Sequence, residues 1–417
     1  MSARSPEPDL TSSPTLRLWS PWRVVIGFGT VSLTADMVYE GARSIYGPLL
    51  ASLGASALVV GAITGAGEAA ALVLRVVFGP LADRTRRYWT LTVVGYALTA
   101  VCVPLLALTP RLGAAGLAVA ATLILLERAG KAVRSPAKSA LLAEAAAEVG
   151  MGRGLGVHKA LDQIGAFAGP LLVAALIAVS AGGFGLALAA LAVPGAVAML
   201  LLVQTRQRMP VPAHHVRQSA EAARTDPRPA AAPLPPAFLR FAAGTALCTA
   251  GLVSFGLIGF HLVQDKLVPT AGVPLLYAAA MAAAAVAALG TGEAYDRIGP
   301  RVLLALPFLI AGFPVLAFSS SLALVVAGVL LWGAAVGVQD STVKALVADL
   351  VPRERRATAY GIFAAVQGAG ALVGGIAAGA LYDRSITALM IFVPAVQVGA
   401  VLLLWSVVRT SNHEAMP

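Results

Sequence analysis

The 417-residue chain is 58% hydrophobic and only 12% charged, with a mean hydropathy of +0.83 and a formal net charge of +10. A soluble domain is about half apolar and about a quarter charged, so this composition excludes one, and the apolar residues fall in blocks of about 20, enough to cross ~30 Å of hydrocarbon, without the period-two alternation of a membrane barrel. Cys102 and Cys248 both lie inside apolar runs, which argues against a disulfide framework or metal cluster, and the basic residues concentrate in short connections, which argues against nucleic-acid binding.

The expected class is an all-α membrane protein. Residues 1–20 carry prolines and acids but no apolar h-region, and no small-residue cleavage site follows the first apolar block, so that block is expected to stay as a membrane helix. Twelve spans are expected, at 22–50, 57–82, 88–109, 113–145, 154–180, 184–205, 238–265, 273–295, 301–320, 322–350, 357–382 and 386–408. They divide into a tail (1–20), a six-span bundle (21–206), a linker (207–236), a second six-span bundle (237–409) and a closing tail (410–417). The linker is rich in Pro, Ala and Arg. Its His214–His215 pair reads as solvated loop histidines, because no further ligand types lie nearby, and neither a metal nor a cofactor is expected. Eighteen arginines in and beside one set of connections, including Arg84, Arg86, Arg87, Arg353 and Arg355, stand against Arg111, Lys266 and Arg384 in the other. The positive-inside rule then puts both termini and the linker in the cytoplasm, with the protein in the cell membrane as a multi-pass monomer.

The fourth span carries the most informative pattern. Glu127, Lys131, Arg134 and Lys138 are spaced i, i+4, i+7 and i+11, which gathers them on one helix face, with Arg128 beside them. A charge at membrane depth costs at least ~2.5–3.5 kcal/mol, so such a face must look into protein or a watery cavity, and the helix is expected to line a transport path. By the same spacing Asp36, Glu40 and Arg43 share a face of the first span, Glu68 and Arg75 one of the second, and His158 and Asp162 one of the fifth. Counted at 1.5 Å per residue, Asp36, Glu68, Glu127, Arg128 and Asp162 come near mid-membrane and are expected in one layer. The corresponding parts of the second half are nearly free of charge, with Gln339, Asp340 and Gln367 as polar candidates and Trp332 and Phe363 as apolar walls.

The halves repeat. An offset of 205 aligns Gly165 with Gly370 and Gly169 with Gly374, and an offset of 213 aligns Gly79-x-x-x-Asp83-Arg84 with Gly292-x-x-x-Asp296-Arg297. The interiors of the third, sixth, ninth and twelfth spans contain no ionisable residue, so every third helix is fit to face lipid. Two like halves joined by a linker are the parallel-repeat plan of secondary transporters.

On these motifs the chain resembles the major facilitator superfamily (MFS) from residue 22 to residue 409. The loop from Gly79 through Asp83, Arg84 and Arg87 looks like the family's signature between helices 2 and 3, with Arg86 where the usual second glycine stands. The loop through Gly292, Asp296, Arg297 and Gly299 looks like its second copy. Gly165, Gly169 and Pro170 resemble the first half of the family's helix-5 antiporter motif, without its trailing glycines, and Arg128 matches the helix-4 arginine of proton-coupled members. The resemblance implies a twelve-helix fold in two pseudo-symmetric halves, peripheral third helices, a cavity lined by helices 1, 4, 7 and 10, and gating by the signature loops.

The leading reading is a proton-coupled antiporter exporting a small, partly apolar compound, with Asp36 or Glu68 carrying the proton and Asp162 as a third candidate. A symporter or uniporter for an organic anion is the alternative suggested by the cationic stripe on the fourth span. A non-transporting membrane scaffold or sensor is the alternative from another class. No His-Glu-x-x-His or nucleophile elbow is present, so an enzyme is not expected.

Overall fold

The computed structural model describes residues 18–209, 234–351 and 355–414. Residues 1–17 of the first tail, most of the linker with His214 and His215, Pro352 to Glu354 and the last three residues lie outside them. Twelve membrane helices follow in order: α1, broken into α1a (Pro21–Arg43) and α1b (Tyr46–Ser52); α2 (Ala57–Thr85); α3 (Tyr88–Leu105); α4 (Gly116–Val149); α5 (Met151–Val179); and α6, as α6a (Phe184–Ala190) and α6b (Ala192–Arg208). The second half holds α7a (Pro236–Gly251), α7b (Phe255–Gln264), α8 (Gly272–Ile298), α9 (Ala305–Ala317), α10 (Leu322–Leu350), α11 (Arg356–Arg384) and α12 (Ile386–Glu414). A 3-10 stretch, Leu106–Ala115, joins α3 to α4, and another, Gly299–Leu304, precedes α9.

Every expected span is a helix. The ends moved outward for α4 and α12, which run on as amphipathic ends beyond the apolar block. The first and seventh spans are broken because Ile45, and then Leu252 to Ser254, leave the helical path. At the second break the freed carbonyl of Val253 accepts a bond of 2.8 Å from the Trp332 indole, which satisfies a polar group that lipid cannot.

Close helix contacts rest on small residues, as membrane packing requires. A Cβ on Gly165 or Gly169 of α5 would sit 2.1 or 2.3 Å from the backbone oxygens of Leu33 and Met37 on α1a. The aligned Gly370 and Gly374 of α11 meet Ala246 and Ala250 of α7a in the same way, at 2.6 and 2.2 Å. The helix-5 motif is thus a packing seam repeated in both halves.

One end of the bundle, where α1 begins and α12 finishes, is called proximal here; the other end is distal. The halves meet through α2 against α11, α5 against α8, and α7b against α1b and α2. The distal contacts are tight: a Cβ on Gly47 of α1b would lie 1.9 Å from the Gly256 oxygen of α7b, and one on Gly379 of α11 would lie 2.3 Å from the Ala57 oxygen of α2. Thr64 of α2 and Ser254 share a hydroxyl bond of 2.8 Å, and the Asp383 carboxylate of α11 accepts from the backbone amides of Ala57 and Leu58 at 3.0 and 2.9 Å. Asp383 therefore caps the α2 N-terminus from the opposite half.

Candidate transport site

Among the described residues, neither α4 nor α10 packs along a helix of the other half, and the same holds for α1a and α7a. These four helices border a gap between the halves, sealed distally by α1b and α7b. At the proximal end the signature loops stand apart. Among the described residues, nothing comes within 4 Å of a Cβ built on Gly79, Gly292 or Gly299. Asp83, Arg84, Arg87, Asp296 and Arg297 are exposed; Asp83 accepts from the Tyr88 hydroxyl at 3.1 Å and Arg297 pairs with Glu293 on its own helix. The two loops differ at the aligned turn position: Arg86 holds φ 55° with ψ 18°, whereas Gly299 takes φ 63° with ψ −150°. Arg86 keeps the left-handed turn without a glycine, at a cost a β-carbon imposes there.

Toward the distal side of the gap, Glu68 of α2 binds two arginines. Arg43 Nη2 lies 2.6 Å and Arg128 Nη2 3.4 Å from the same oxygen, so α1, α2 and α4 are tied at one carboxylate. Arg128 also hydrogen-bonds the Tyr39 hydroxyl and lies 3.7 Å from Glu127. Glu40 lies 3.7 Å from Arg43 and accepts a bond of 2.5 Å from Tyr277 of α8, which carries the cluster across to the other half.

A second cluster joins α1 to α5. Asp36 faces Asp162 in electrostatic range, and Lys159 Nζ lies 2.6 Å from Asp162. One turn toward the proximal end, the Ser32 hydroxyl meets Lys138 Nζ at 3.1 Å, His158 Nε2 at 3.0 Å and the Tyr96 hydroxyl at 3.3 Å. Lys131 stands between the clusters, in electrostatic range of both Asp36 and Glu68, with its ammonium 3.8 Å above the Tyr39 ring.

The single charged face expected on α4 is therefore split. At 100° per residue its four members spread over about 60°, and the helix is wedged between α1 and α3. On one edge Glu127 and Arg134 are buried, at 0% and 4% exposure, against α3, where Thr99 donates to Glu127 at 3.3 Å and accepts from Arg134 at 2.6 Å. On the other edge Lys131 and Lys138 turn toward α1. The expected mid-membrane layer likewise forms as two groups, Glu68 with Arg128 and Glu127, and Asp36 with Asp162.

In the second half Gln339 donates to Thr249 at 3.1 Å, and Asp340 is exposed on the gap side, in electrostatic range of Arg75 and Lys159. Gln367 is nearly buried on α11. Trp332 and Phe363, expected as walls, are buried behind the gap: Trp332 packs on Phe255 and Tyr277, and Phe363 on Phe241. The Trp332 pairs are tilted and the Phe363–Phe241 pair is stacked, and both rings gain more from these aromatic neighbours than from a wet surface. Sequence reasoning passed over Tyr39, Ser32, Thr99, Lys159 and Tyr277. Tyr39 and Ser32 sit at helical spacing from Asp36 and carried a signal; Tyr277, on a distant span, carried none.

Two six-helix bundles meeting around a group of membrane-embedded charges define a membrane protein of the transporter class. The Major Facilitator Superfamily model matches residues 28–266 and 241–415, and the chain belongs to that family. It is 49% identical over 389 residues to an uncharacterized protein of Mycobacterium tuberculosis, covering 93% of each chain. It is 27% identical to an uncharacterized MFS-type transporter of Methanocaldococcus jannaschii, over 86% of this chain and 88% of the relative. Among solved structures, the nucleoside transporter NupG in a D323A form superposes with a TM-score of 0.71 at 15% identity, over 93% of this chain and 99% of that one. A POT family transporter in complex with 5-aminolevulinic acid gives 0.72 at 11% identity, over 94% and 97%. The chain is a transporter rather than an enzyme.

Proposed function

We propose that the protein exports a small, partly apolar compound in exchange for protons, by rocking the halves about the gap. The observation that carries the coupling is the placement of Asp36 and Asp162 in electrostatic range of each other on α1 and α5. Two carboxylates that face each other repel when both are ionised, so a proton taken up between them relieves that repulsion. The pair lies beside the gap, and α5 packs on α8 of the other half, so rocking changes the surroundings of Asp162. Glu68 is less suited to the task, because it already holds two arginines together. The arrangement reads as open proximally and shut distally. With the Lys/Arg bias, the proximal end is assigned to the cytoplasm of a cell-membrane protein whose termini face inward, and the signature loops to the gate that closes there. Gln339, Asp340 and Gln367 are assigned to the far wall of the site.

The test is flux in proteoliposomes holding a pH indicator, challenged with a compound panel under an imposed pH gradient. Asp36→Asn and Asp162→Asn are expected to exchange compound in counterflow while failing to accumulate it against the gradient. If both variants keep pH-driven accumulation, the coupling assignment fails.

A further inference from the structure

We infer that the transported compound bears an anionic group, a carboxylate or its equivalent, and that Arg75 of α2 and Lys131 of α4 receive it. The inference rests on the transport reading above and adds the substrate class. It starts from which cations the acids already use. Glu68 is taken by Arg43 and Arg128, Glu40 by Arg43 and Tyr277, and Asp162 by Lys159. Among the described residues no carboxylate lies within 4.0 Å of Arg75 or Lys131.

Both cations are nonetheless drawn in from bulk water. Each is half-buried, and the Arg75 Nε is a buried donor with no acceptor. Lys131 rests on the face of Tyr39, a cation–π contact that stabilises the charge but occupies none of its three N–H donors. A buried N–H without a partner is costly, and Lys131 keeps its charge within the membrane span with no acidic partner among the described residues. A ligand oxygen would answer both.

The two groups also lie where one ligand can reach them. The helices α2 and α4 pack together and run in the same direction; Arg75 is about 27 Å and Lys131 about 22 Å from their distal ends at 1.5 Å per residue. Both lie in electrostatic range of Glu68, and Arg75 also of Asp340 across the gap, so both face the site. The guanidinium offers a flat fork for a carboxylate and the ammonium a point charge at its other oxygen. The apolar remainder of the compound would lie toward the uncharged helices of the second half.

The experiment uses the full chain in phosphatidylcholine nanodiscs and reads thermal stabilisation by matched sets that share one apolar body: 1-naphthoate, 1-naphthamide and 1-naphthylmethylamine, and decanoate, decanamide and decylamine. A carboxylate from at least one set is expected to stabilise the protein more than its amide and amine. In Arg75→Gln and Lys131→Gln its midpoint concentration should rise on the order of tenfold. Arg75→Lys should keep part of the preference, and Lys266→Gln, in a distal loop, all of it. The inference is overturned if amide or amine does as well, if no carboxylate stabilises, or if both glutamine variants keep the carboxylate effect. It is also overturned if phosphatidylglycerol in the nanodisc gives the Arg75-dependent stabilisation in place of the soluble carboxylates, which makes the site a lipid site. Proton coupling is read separately, through the Asp36 and Asp162 variants, so either claim can fail alone.

Discussion

The two halves share one backbone plan and differ in what occupies it. With the offsets that the glycine seams support, Glu127 aligns with Trp332, Arg134 with Gln339, His158 with Phe363, Asp162 with Gln367, Asp36 with Thr249, Glu68 with Met281 and Arg75 with Ala288. Where the first half ties α1, α2 and α4 through Glu68 and two arginines, the second packs Phe255, Tyr277 and Trp332 edge-to-face and tilted against one another. Where Asp36 faces Asp162, the second half has the uncharged Thr249 and Gln367, and Thr249 accepts a neutral bond from Gln339. Packing alone holds such a bundle, as the second half demonstrates. The charges of the first half therefore serve something other than cohesion, since well-packed apolar residues are often as stabilising as a buried ion pair.

The sharpest way to break this contrast is to treat aligned positions alike. Glu68→Ala leaves Arg43 and Arg128 without their shared acid, and should cost about 2–3 kcal/mol in thermal unfolding. That is less than the ~3–5 kcal/mol of a fully buried pair, because 30% of the Glu68 side chain is exposed. Met281→Leu, at the aligned site, should cost under about 1.5 kcal/mol. Equal losses would erase the distinction between the halves.

How far the sequence carried this picture follows from the same residues. Spans and repeats were legible because membrane thickness sets helix length and close contact demands glycine, as at Gly165 and Gly370. The charged residues were legible as a set, because they stand out against an apolar background. Their partners were not. The helical period gives a face only to within some 60°, and α4 divides within that width, sending Arg134 to Thr99 and Lys131 to Tyr39. Contacts between spans far apart in sequence, such as Glu40 with Tyr277, depend on how the halves dock, which no local pattern encodes.

In the second half the test is Trp332→Phe. It keeps an aromatic ring but leaves the Val253 carbonyl without its donor at the α7 break, and should cost ~1–3 kcal/mol, read as a lower unfolding midpoint. A cost near zero would mean the break is satisfied by other means.

A smaller effect is expected where the halves touch. Asp383→Asn weakens a cross-half cap of the α2 N-terminus, worth about 1 kcal/mol, and should shift the conformational balance roughly fivefold toward distal opening. Labelling rates of a cysteine placed at Leu58 would report it; unchanged rates would remove Asp383 from the distal gate. Smallest of all, Arg86→Gly makes the first signature loop resemble the second, and the relief of its left-handed backbone should raise stability by no more than about 1 kcal/mol.

The central claim is that the first half alone carries the coupling proton, on Asp36 and Asp162. Infrared difference spectroscopy of the purified protein across a pH titration reads it directly, through the carbonyl band of a protonated carboxyl group. The account predicts a titrating band in the native protein that disappears in both Asp36→Asn and Asp162→Asn and persists in Glu68→Gln and Asp340→Asn. A band that survives in both aspartate variants and is lost in Asp340→Asn would contradict it.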